Sequence, residues 1–200
     1  MTRKAWWDTA PMPFIELSGD DQQQLLSLAR ESIQVRLLFD RDLHIDETTF
    51  SPALQQLAAC FVTLRIKGTL RGCIGTLEAS QPLVTNVVHN AAASAFEDPR
   101  FPAINRDEES KLHIEISVLT EPTPISFNSE AELLEKLVPE KDGLIIEKGS
   151  HRATFLPTVW RSIPDKAEFL NQLKRKAGLA DNFWSNNLKA WRYDTISFEE

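Results

Sequence analysis

The sequence predicts an α+β protein in which helices pack on a mainly antiparallel sheet. Three observations lead to this prediction. Ser18–Asp40 places apolar residues at helical spacing, Cys60–Leu77 has the pattern of a hairpin, and Leu112–Thr120 alternates apolar and polar residues. Because hairpins join neighbouring antiparallel strands, whereas parallel strands need long crossovers between them, we expect a mainly antiparallel sheet.

The first half of the chain predicts two helices and one hairpin. Ser18–Asp40 begins with capping residues and predicts an amphipathic helix. Cys60–Ile66 is β-branched and aromatic, Lys67–Gly68 indicates a turn, and Thr69–Leu77 returns antiparallel as the second arm. Pro82–Asp98 predicts a second helix, since proline is favoured in the first turn and the apolar residues recur at helical spacing.

The second half continues the same alternation of helices and strands. Ser129–Val138 begins with a capping box and predicts a helix, and Leu144–Glu147 with Arg152–Pro157 predicts a second hairpin. Asp165–Gly178 predicts a helix that ends at a glycine, and Trp191–Phe198 predicts one closing strand. Since no flexible linker interrupts this order, we expect one folded unit whose subdomains, if there are two, pack tightly.

The composition restricts the class of protein. A hydrophobic content of 42% and a charged content of 26% are those of a globular chain. The net charge of -7 opposes binding to phosphate backbones, so we do not expect a nucleic-acid partner. We expect neither a membrane span nor a secretory signal, and hence a cytoplasmic location with both cysteines reduced. Trp6 and Trp7 can anchor on this domain or on a neighbour, and the sequence leaves that choice open.

Standard catalytic and metal-binding motifs are absent from the sequence. It contains no phosphate-binding loop, no G-x-G-x-x-G, no G-x-S-x-G and no H-E-x-x-H. The four histidines stand far apart, without the spacing of zinc ligands. We therefore expect no metal site and name no cofactor.

The stretch around Cys73 is the main candidate for chemistry. In a regular strand Arg71 and Cys73 share one face, where a guanidinium beside a thiol lowers the pKa of that thiol. Gly72 and Gly75 would let a ligand or another backbone approach closely, and Thr76 beside them is a further candidate for binding a ligand. The alternative is structural: Cys73 is a small buried residue and the glycines mark only a bulge.

Two further groups of polar residues are candidates for the same site. On Leu112–Thr120 the polar face contains His113 and Glu115; if this face meets the hairpin, Glu115 pairs with Arg71 and His113 is a base for Cys73. The alternative is an ordinary solvated face.

Asp98 and Arg100 lie on a proline-rich loop. They either pair with each other or contact a ligand, and the sequence favours neither interpretation.

The runs ACFVTLRIKGTLRGCIGTL, AAASAFEDPRFPAI and LHIEISVLT, in this order, resemble the AMMECR1 domain family, with LRGCIG as its hallmark. The resemblance extends from about Phe14 almost to the carboxyl terminus. It implies an α+β fold of two subdomains, the larger built from both chain termini and the smaller inserted between them. It implies no known reaction. It does imply an association with a Memo-like protein and a radical SAM protein, the so-called AmmeMemoRadiSam system.

Two hypotheses about function follow. In the first, the protein is an enzyme or enzyme subunit that acts on an unknown small molecule. Cys73 is then the nucleophile, Arg71 binds an anion, and Glu115, Asp98 and Arg100 act as acid, base or positioning groups. In the second, the protein is a non-catalytic adaptor in which LRGCIG is structural.

Overall fold

Most helices and strands lie close to the predicted positions, whereas the short helix Arg106–Glu109 and the short strand Thr123–Ile125 were not predicted from the sequence. A computed structural model describes residues 15–200, so Trp6 and Trp7 lie outside the described residues. This part of the chain contains five α-helices, which are α1 (Gly19–Phe39), α2 (Leu83–Phe96), α3 (Arg106–Glu109), α4 (Glu130–Lys136) and α5 (Lys166–Lys176). It also contains eight strands, which are β1 (Cys60–Ile66), β2 (Thr69–Gly75), β3 (Leu112–Leu119), β4 (Thr123–Ile125), β5 (Gly143–Lys148), β6 (His151–Phe155), β7 (Lys189–Tyr193) and β8 (Thr195–Glu199).

Local capping explains where the predicted helices begin. The Ser18 hydroxyl accepts a hydrogen bond from the Asp21 backbone N–H, and the Asp21 carboxylate accepts one from the Ser18 N–H. Asp165 likewise accepts from the N–H of Glu168 at the start of α5, at 2.8 Å. These bonds satisfy N–H groups that have no partner inside the helix, so the sequence signal and the helix start coincide.

The chain divides into two compact units. Unit 1 comprises the described residues up to Leu119 together with Ile196–Glu200. Its sheet has the strand order β2-β1-β3-β8, and β1 pairs antiparallel with both β2 and β3. The apolar residues of β1 and β3 are buried with those of α1 and α2, which explains their strict alternation along β3.

Unit 2 comprises Thr120–Thr195 and has its own core. Its sheet has the order β4-β7-β5-β6, with antiparallel pairing throughout. The rings of Trp160 and Phe169 stack in this core with centroids 3.6 Å apart. Both units combine helices with an antiparallel sheet, which confirms the predicted α+β class.

The prediction of a single closing strand at Trp191–Phe198 is wrong. The run is divided at Asp194 into β7, which belongs to the sheet of unit 2, and β8, which belongs to the sheet of unit 1. Asp194 bonds to Thr120 in both directions: its N–H donates to the threonine Oγ1 at 2.8 Å and its carbonyl accepts the threonine N–H at 2.9 Å. Unit 2 is therefore an insertion between β3 and the end of unit 1, the arrangement that the family resemblance implies.

Candidate functional site

The LRGCIG motif lies in β2, the edge strand of the unit 1 sheet. The register pairs Leu64 of β1 with Gly72, but the next pair is Arg65 with Leu70. Arg71 is consequently an extra residue on β2, opposite no residue of β1. Such a bulge interrupts the regular change of faces along a strand. The predicted alternation, which would place the arginine beside the cysteine on one face, is therefore wrong.

Arg71 forms a two-point ion pair with Glu108 and not the predicted pair with Glu115. Its Nε lies 2.8 Å from Oε1 of Glu108, and its Nη2 lies 3.1 Å from Oε2. The same carboxylate accepts the backbone N–H of Asn105, so the ion pair also fixes the start of α3. The hydrogen bond from Arg71 holds the pKa of Glu108 below its ordinary value. Glu115 instead lies 3.8 Å from the Nε of Arg65.

The two glycines of the motif contact the protein itself. A Cβ on Gly72 would lie 2.1 Å from the carbonyl oxygen of Ser94 in α2, and a Cβ on Gly75 would lie 2.3 Å from the ring of Phe61. Any side chain at either position would overlap these atoms. Of the two expected close approaches, that of another backbone is the one found at Gly72, and at Gly75 an aromatic ring lies in the space where a ligand was the other expectation.

The hydroxyl of Ser94 joins the two strands of the hairpin, a contact that the sequence analysis missed. The Ile74 N–H donates to Ser94 Oγ at 2.8 Å, and Ser94 Oγ donates to the Val62 carbonyl at 2.8 Å. Val62 and Ile74 are opposite each other in the register, so the helix side chain bridges a cross-strand pair. This contact explains why α2 lies so close to Gly72.

Two asparagines continue this polar stripe along α2 toward its amino end. The Nδ2 of Asn86 donates to the Ala58 carbonyl at 2.7 Å, and the Nδ2 of Asn90 donates to the Cys60 carbonyl at 3.2 Å. Four helical residues advance by about 6 Å, close to the roughly 6.6 Å of two strand residues, so the spacings match. Thr76 belongs to this network, since its Oγ1 accepts from Asn86 at 2.9 Å. Asn and Ser four residues apart in an apolar helix are the signal that could have revealed it.

Asp98 and Arg100 pair with each other and cap the sheet edge at Cys73. Asp98 Oδ2 accepts the Cys73 N–H at 2.9 Å and the Arg100 Nη2 at 2.6 Å. Arg100 Nη2 also donates to the Cys73 carbonyl at 3.3 Å. An adjacent strand would make the same two kinds of bond to an edge residue, so the side-chain pair takes the place of a strand.

The Asp98 carboxylate is buried, with 2% of its side chain exposed. Its pKa is lowered to about 2, chiefly by the hydrogen bond from Arg100, with further hydrogen bonds from the Cys73 and Arg100 N–H groups. Asp98 is therefore negatively charged over the whole physiological pH range, and it accepts these hydrogen bonds as a carboxylate.

The Cys73 thiol is half-buried and has identified neighbours. The hydroxyl of Thr63, opposite Cys73 on β1, donates to Sγ at 3.3 Å. The pKa of Arg100 is raised, chiefly by its hydrogen bond to Asp98, and the charge of an ionised Cys73 adds a smaller contribution. Cys73 is thus not a fully buried core residue, and it does not form the pair with Arg71 that the sequence predicts.

Glu115 and His113 lie on β3, beyond β1 as seen from Cys73. Thr63 pairs with Cys73 on one side and with Glu115 on the other, so two strand spacings, together about 9.6 Å, separate those two residues. His113 is opposite Arg65, and its Nε2 lies 3.1 Å from the carboxylate of Glu199 on β8. The predicted thiol–imidazole pair is therefore wrong.

The second cysteine, Cys60, faces the core of unit 1 and is completely buried. Burial raises the pKa of its thiol to about 12, against the opposing effect of a hydrogen bond from Asn90. Cys60 and Cys73 lie on opposite faces of the hairpin and form no disulfide. Among residues 15–200, no three His, Cys, Asp or Glu side chains are arranged to hold a metal ion. None of the described helices is both long and apolar enough to cross a membrane.

Known proteins resemble this chain over most of its length. The sequence pattern of the family described as AMMECR1 matches residues 26–198. A protein of Thermofilum pendens is 36% identical over 200 residues, which cover 92% of each chain. A protein of Methanothermobacter thermautotrophicus is 34% identical, covering 94% of this chain and 99% of its own. The crystal structure of the uncharacterized protein PH0010 from Pyrococcus horikoshii superposes with a TM-score of 0.85 at 34% identity, covering 92% and 93% of the two chains.

Proposed function

Because the chain belongs to the AMMECR1 family, we propose that it is a non-catalytic partner protein in which the LRGCIG motif stabilises the fold. The single observation that carries this proposal is that the residues of the motif contact other residues of unit 1. Arg71 is bound by Glu108, Gly72 contacts the backbone of α2, Gly75 contacts Phe61, and the Cys73 backbone is capped by Asp98.

A catalytic motif directs its polar groups toward the space where a substrate binds. In this hairpin Nε and Nη2 of Arg71, the two glycines and the edge N–H all meet protein atoms instead, while Nη1 of Arg71 is buried without a hydrogen-bond partner among the described residues. Removing these contacts would therefore damage the fold before it affected any chemistry. This order of effects supports a structural role for the motif.

The partner classes come from the family resemblance, which implies a Memo-like protein and a radical SAM protein. We place the complex in the cytoplasm, where cysteines such as Cys60 and Cys73 remain reduced. In this complex the present chain would supply a binding surface, and the partners would supply the chemistry.

Size-exclusion chromatography with light scattering tests the proposal directly. The purified chain is mixed with the Memo-like and the radical SAM protein of the same organism, first separately and then together. We expect a stoichiometric complex with the unmodified protein and an equal one with Cys73→Ser. A failure to bind either partner would overturn the proposal, as would loss of binding by a folded Cys73→Ser protein.

One observation favours a second function, a thiol-dependent reaction with an unidentified small molecule. Sγ of Cys73 is half-buried and accepts a hydrogen bond from Thr63, and the guanidinium of Arg100 donates to the backbone carbonyl of the same residue. Hydroxyl donors and cationic neighbours are features of reactive cysteines. In this alternative Thr63 and Arg100 take the places that the sequence analysis gave to His113 and Arg71.

Alkylation by iodoacetamide separates the two functions. A catalytic Cys73 should be modified in the folded protein near neutral pH, and Thr63→Val should slow the modification. Cys60 is the internal control, because its complete burial should prevent modification until the chain unfolds. If Cys73 also reacts only after unfolding, the thiol-dependent function is excluded and the partner role stands alone.

A further inference from the structure

A groove with a volume of about 380 Å³ lies in unit 1 between the segment after α1 and helix α2. One wall is formed by Asp42–Glu47, and the other by residues of α2 that include Thr85 and His89. Gln81 completes the lining at one end. Small-molecule sites typically have volumes of roughly 300–1,000 Å³. None of these residues takes part in the contacts of the LRGCIG motif, so the groove is a separate feature. We call it the histidine groove.

Two contacts hold the walls of the histidine groove in place. The Thr85 hydroxyl donates to Oε1 of Glu47, which joins the loop to α2. The Arg36 guanidinium donates to Oδ1 of Asp42, which joins the loop to α1. Each carboxylate thus uses one oxygen for the fold. The second oxygens, Oε2 of Glu47 and Oδ2 of Asp42, make no hydrogen bond within residues 15–200.

Three other side chains of the groove, those of His44, His89 and Gln81, are solvent-exposed and have no hydrogen-bond partner in the described part of the chain. An exposed histidine by itself is usually only a solvated side chain. Here two imidazoles, an amide and two half-used carboxylates line one cavity. A neutral imidazole, an amide oxygen and a carboxylate oxygen are all acceptors, so the groove suits a ligand with several N–H donors.

Charge determines which kind of donor fits. The segment Asp40–Glu47 carries four acidic residues and one arginine, and even with Arg36 of α1 paired to Asp42 the acidic residues outnumber the basic ones; the whole chain has a net charge of -7. The resulting negative potential attracts cations. A metal ion is a poor candidate, because no three ligating side chains of residues 15–200 come together in a suitable arrangement.

We propose that the histidine groove binds a small organic cation with a primary ammonium group. The ammonium group donates to the second carboxylate oxygens of Glu47 and Asp42. His44, His89 and Gln81 accept hydrogen bonds from the remaining donors of the ligand. The apolar side chains of Leu43 and Val88 contact its carbon atoms.

The test uses 1,4-diaminobutane as the probe and 1,4-butanediol as its neutral counterpart of equal length. Backbone amide resonances of the full chain are followed by NMR during titration. We expect saturable shifts at Thr85, Val88 and His89 with the diamine and none with the diol. Glu47→Gln should weaken binding about two- to fivefold, the usual effect of removing one exposed ion contact. Glu135→Gln, on an exposed position of α4 outside the groove, is the matched control and should bind like the unmodified chain.

His89→Ala gives an independent variant, because it leaves the bond between Thr85 and Glu47 intact. It should weaken binding by a similar factor even if Glu47→Gln folds poorly. The proposal is overturned if the diamine gives no saturable shifts or if the diol gives the same ones. It is also overturned if the folded His89→Ala protein binds the diamine with unchanged affinity.

Discussion

The two long hairpins of the molecule begin from similar local signals and end with different geometry. The β1–β2 hairpin turns at Lys67 and Gly68, with φ of 52° and 79°, and the β5–β6 hairpin turns at Gly149, with φ of 61°. Both are two-residue connections of the kind that match the twist of antiparallel strands. In β5–β6 the register is unbroken from turn to end, whereas in β1–β2 it shifts at Arg71.

The difference arises from residues that are distant in sequence. Glu108 binds the bulged arginine, Ser94 enters between the strands, and Asp98 with Arg100 caps the outer edge. These partners are supplied by α2 and by the segment that follows it. A hairpin turn is thus specified locally, but an irregular strand next to a turn is specified by whatever packs against it.

The largest expected difference between the two hairpins is the loss of stability when a glycine is replaced by alanine. Gly72→Ala should destabilise unit 1 by more than about 3 kcal/mol, because the new Cβ would overlap the Ser94 backbone carbonyl, which cannot rotate away. Gly149→Ala, where nothing lies within 4 Å of the new Cβ, should cost only the about 1–2 kcal/mol of a left-handed alanine. Urea unfolding followed by far-UV circular dichroism and by amide exchange of β1 and β5 measures both. Equal costs would show that α2 does not determine the geometry of β1–β2.

A smaller effect is expected at the ion pairs of the two hairpins. Arg71→Met should cost about 2–3 kcal/mol, since it leaves the mostly buried Glu108 carboxylate without its two-point partner. In β5–β6 the cross-strand pair of Arg152 and Glu147 is 3.9 Å long, so Glu147→Gln should cost less than about 1 kcal/mol. The same unfolding measurements apply. A cost for Arg71→Met no larger than that for Glu147→Gln would contradict a structural role for the arginine.

Acid should weaken the β1–β2 edge through Asp98. The pKa of this carboxyl is about 2 in the folded chain, below its ordinary value of 3.8, so its contribution to stability is complete above pH 4 and is lost as the pH falls toward 2. The contribution is about 2 kcal/mol. Glu108, whose pKa is also lowered, acts in the same direction.

Asp98→Asn is the variant that tests this acid dependence. We expect it to be less stable than the unmodified chain at pH 7, with the difference shrinking between pH 4 and pH 2. Urea unfolding at a series of pH values gives the curve for each protein. A constant difference across this range would mean that the Asp98 charge does not hold the edge cap.

The smallest expected effect is at the cysteine of the motif. Cys73→Ser should change the free energy of unfolding by less than about 1 kcal/mol, because the site is half-buried and Thr63 can bond to either atom. Cys60→Ser should cost about 2 kcal/mol, since it places a hydroxyl in the apolar core of unit 1. Thermal unfolding of both variants gives the comparison. A larger loss for Cys73→Ser than for Cys60→Ser would show that the thiol itself is a structural element.

Sequence reasoning located most of the fold and part of the site. Capping residues such as Ser18 and Asp165 mark helix starts because they act within one turn, and the alternation in β3 reports burial on one face directly. At the site it singled out Cys73, Asp98 and Arg100, with the pairing of the last two as one of two interpretations, but not their arrangement around one strand edge. Ser94 was missed although Asn86, Asn90 and Ser94 recur every four residues along α2, because this spacing shows only that they share one helix face and not which backbone groups that face meets.

Features that depend on neighbours along the chain could be read from the sequence: the α+β class, the capped starts of α1 and α5, the turn at Lys67–Gly68 and the apolar faces. The tertiary structure alone decided that Arg71 binds Glu108 and not Glu115, and that Gly72 accommodates α2 and not a ligand. It also decided that the final run divides at Asp194 between two sheets. The physical reason is that propensity and periodicity act over a few residues, whereas each of these contacts depends on which distant group the folded chain brings to that position.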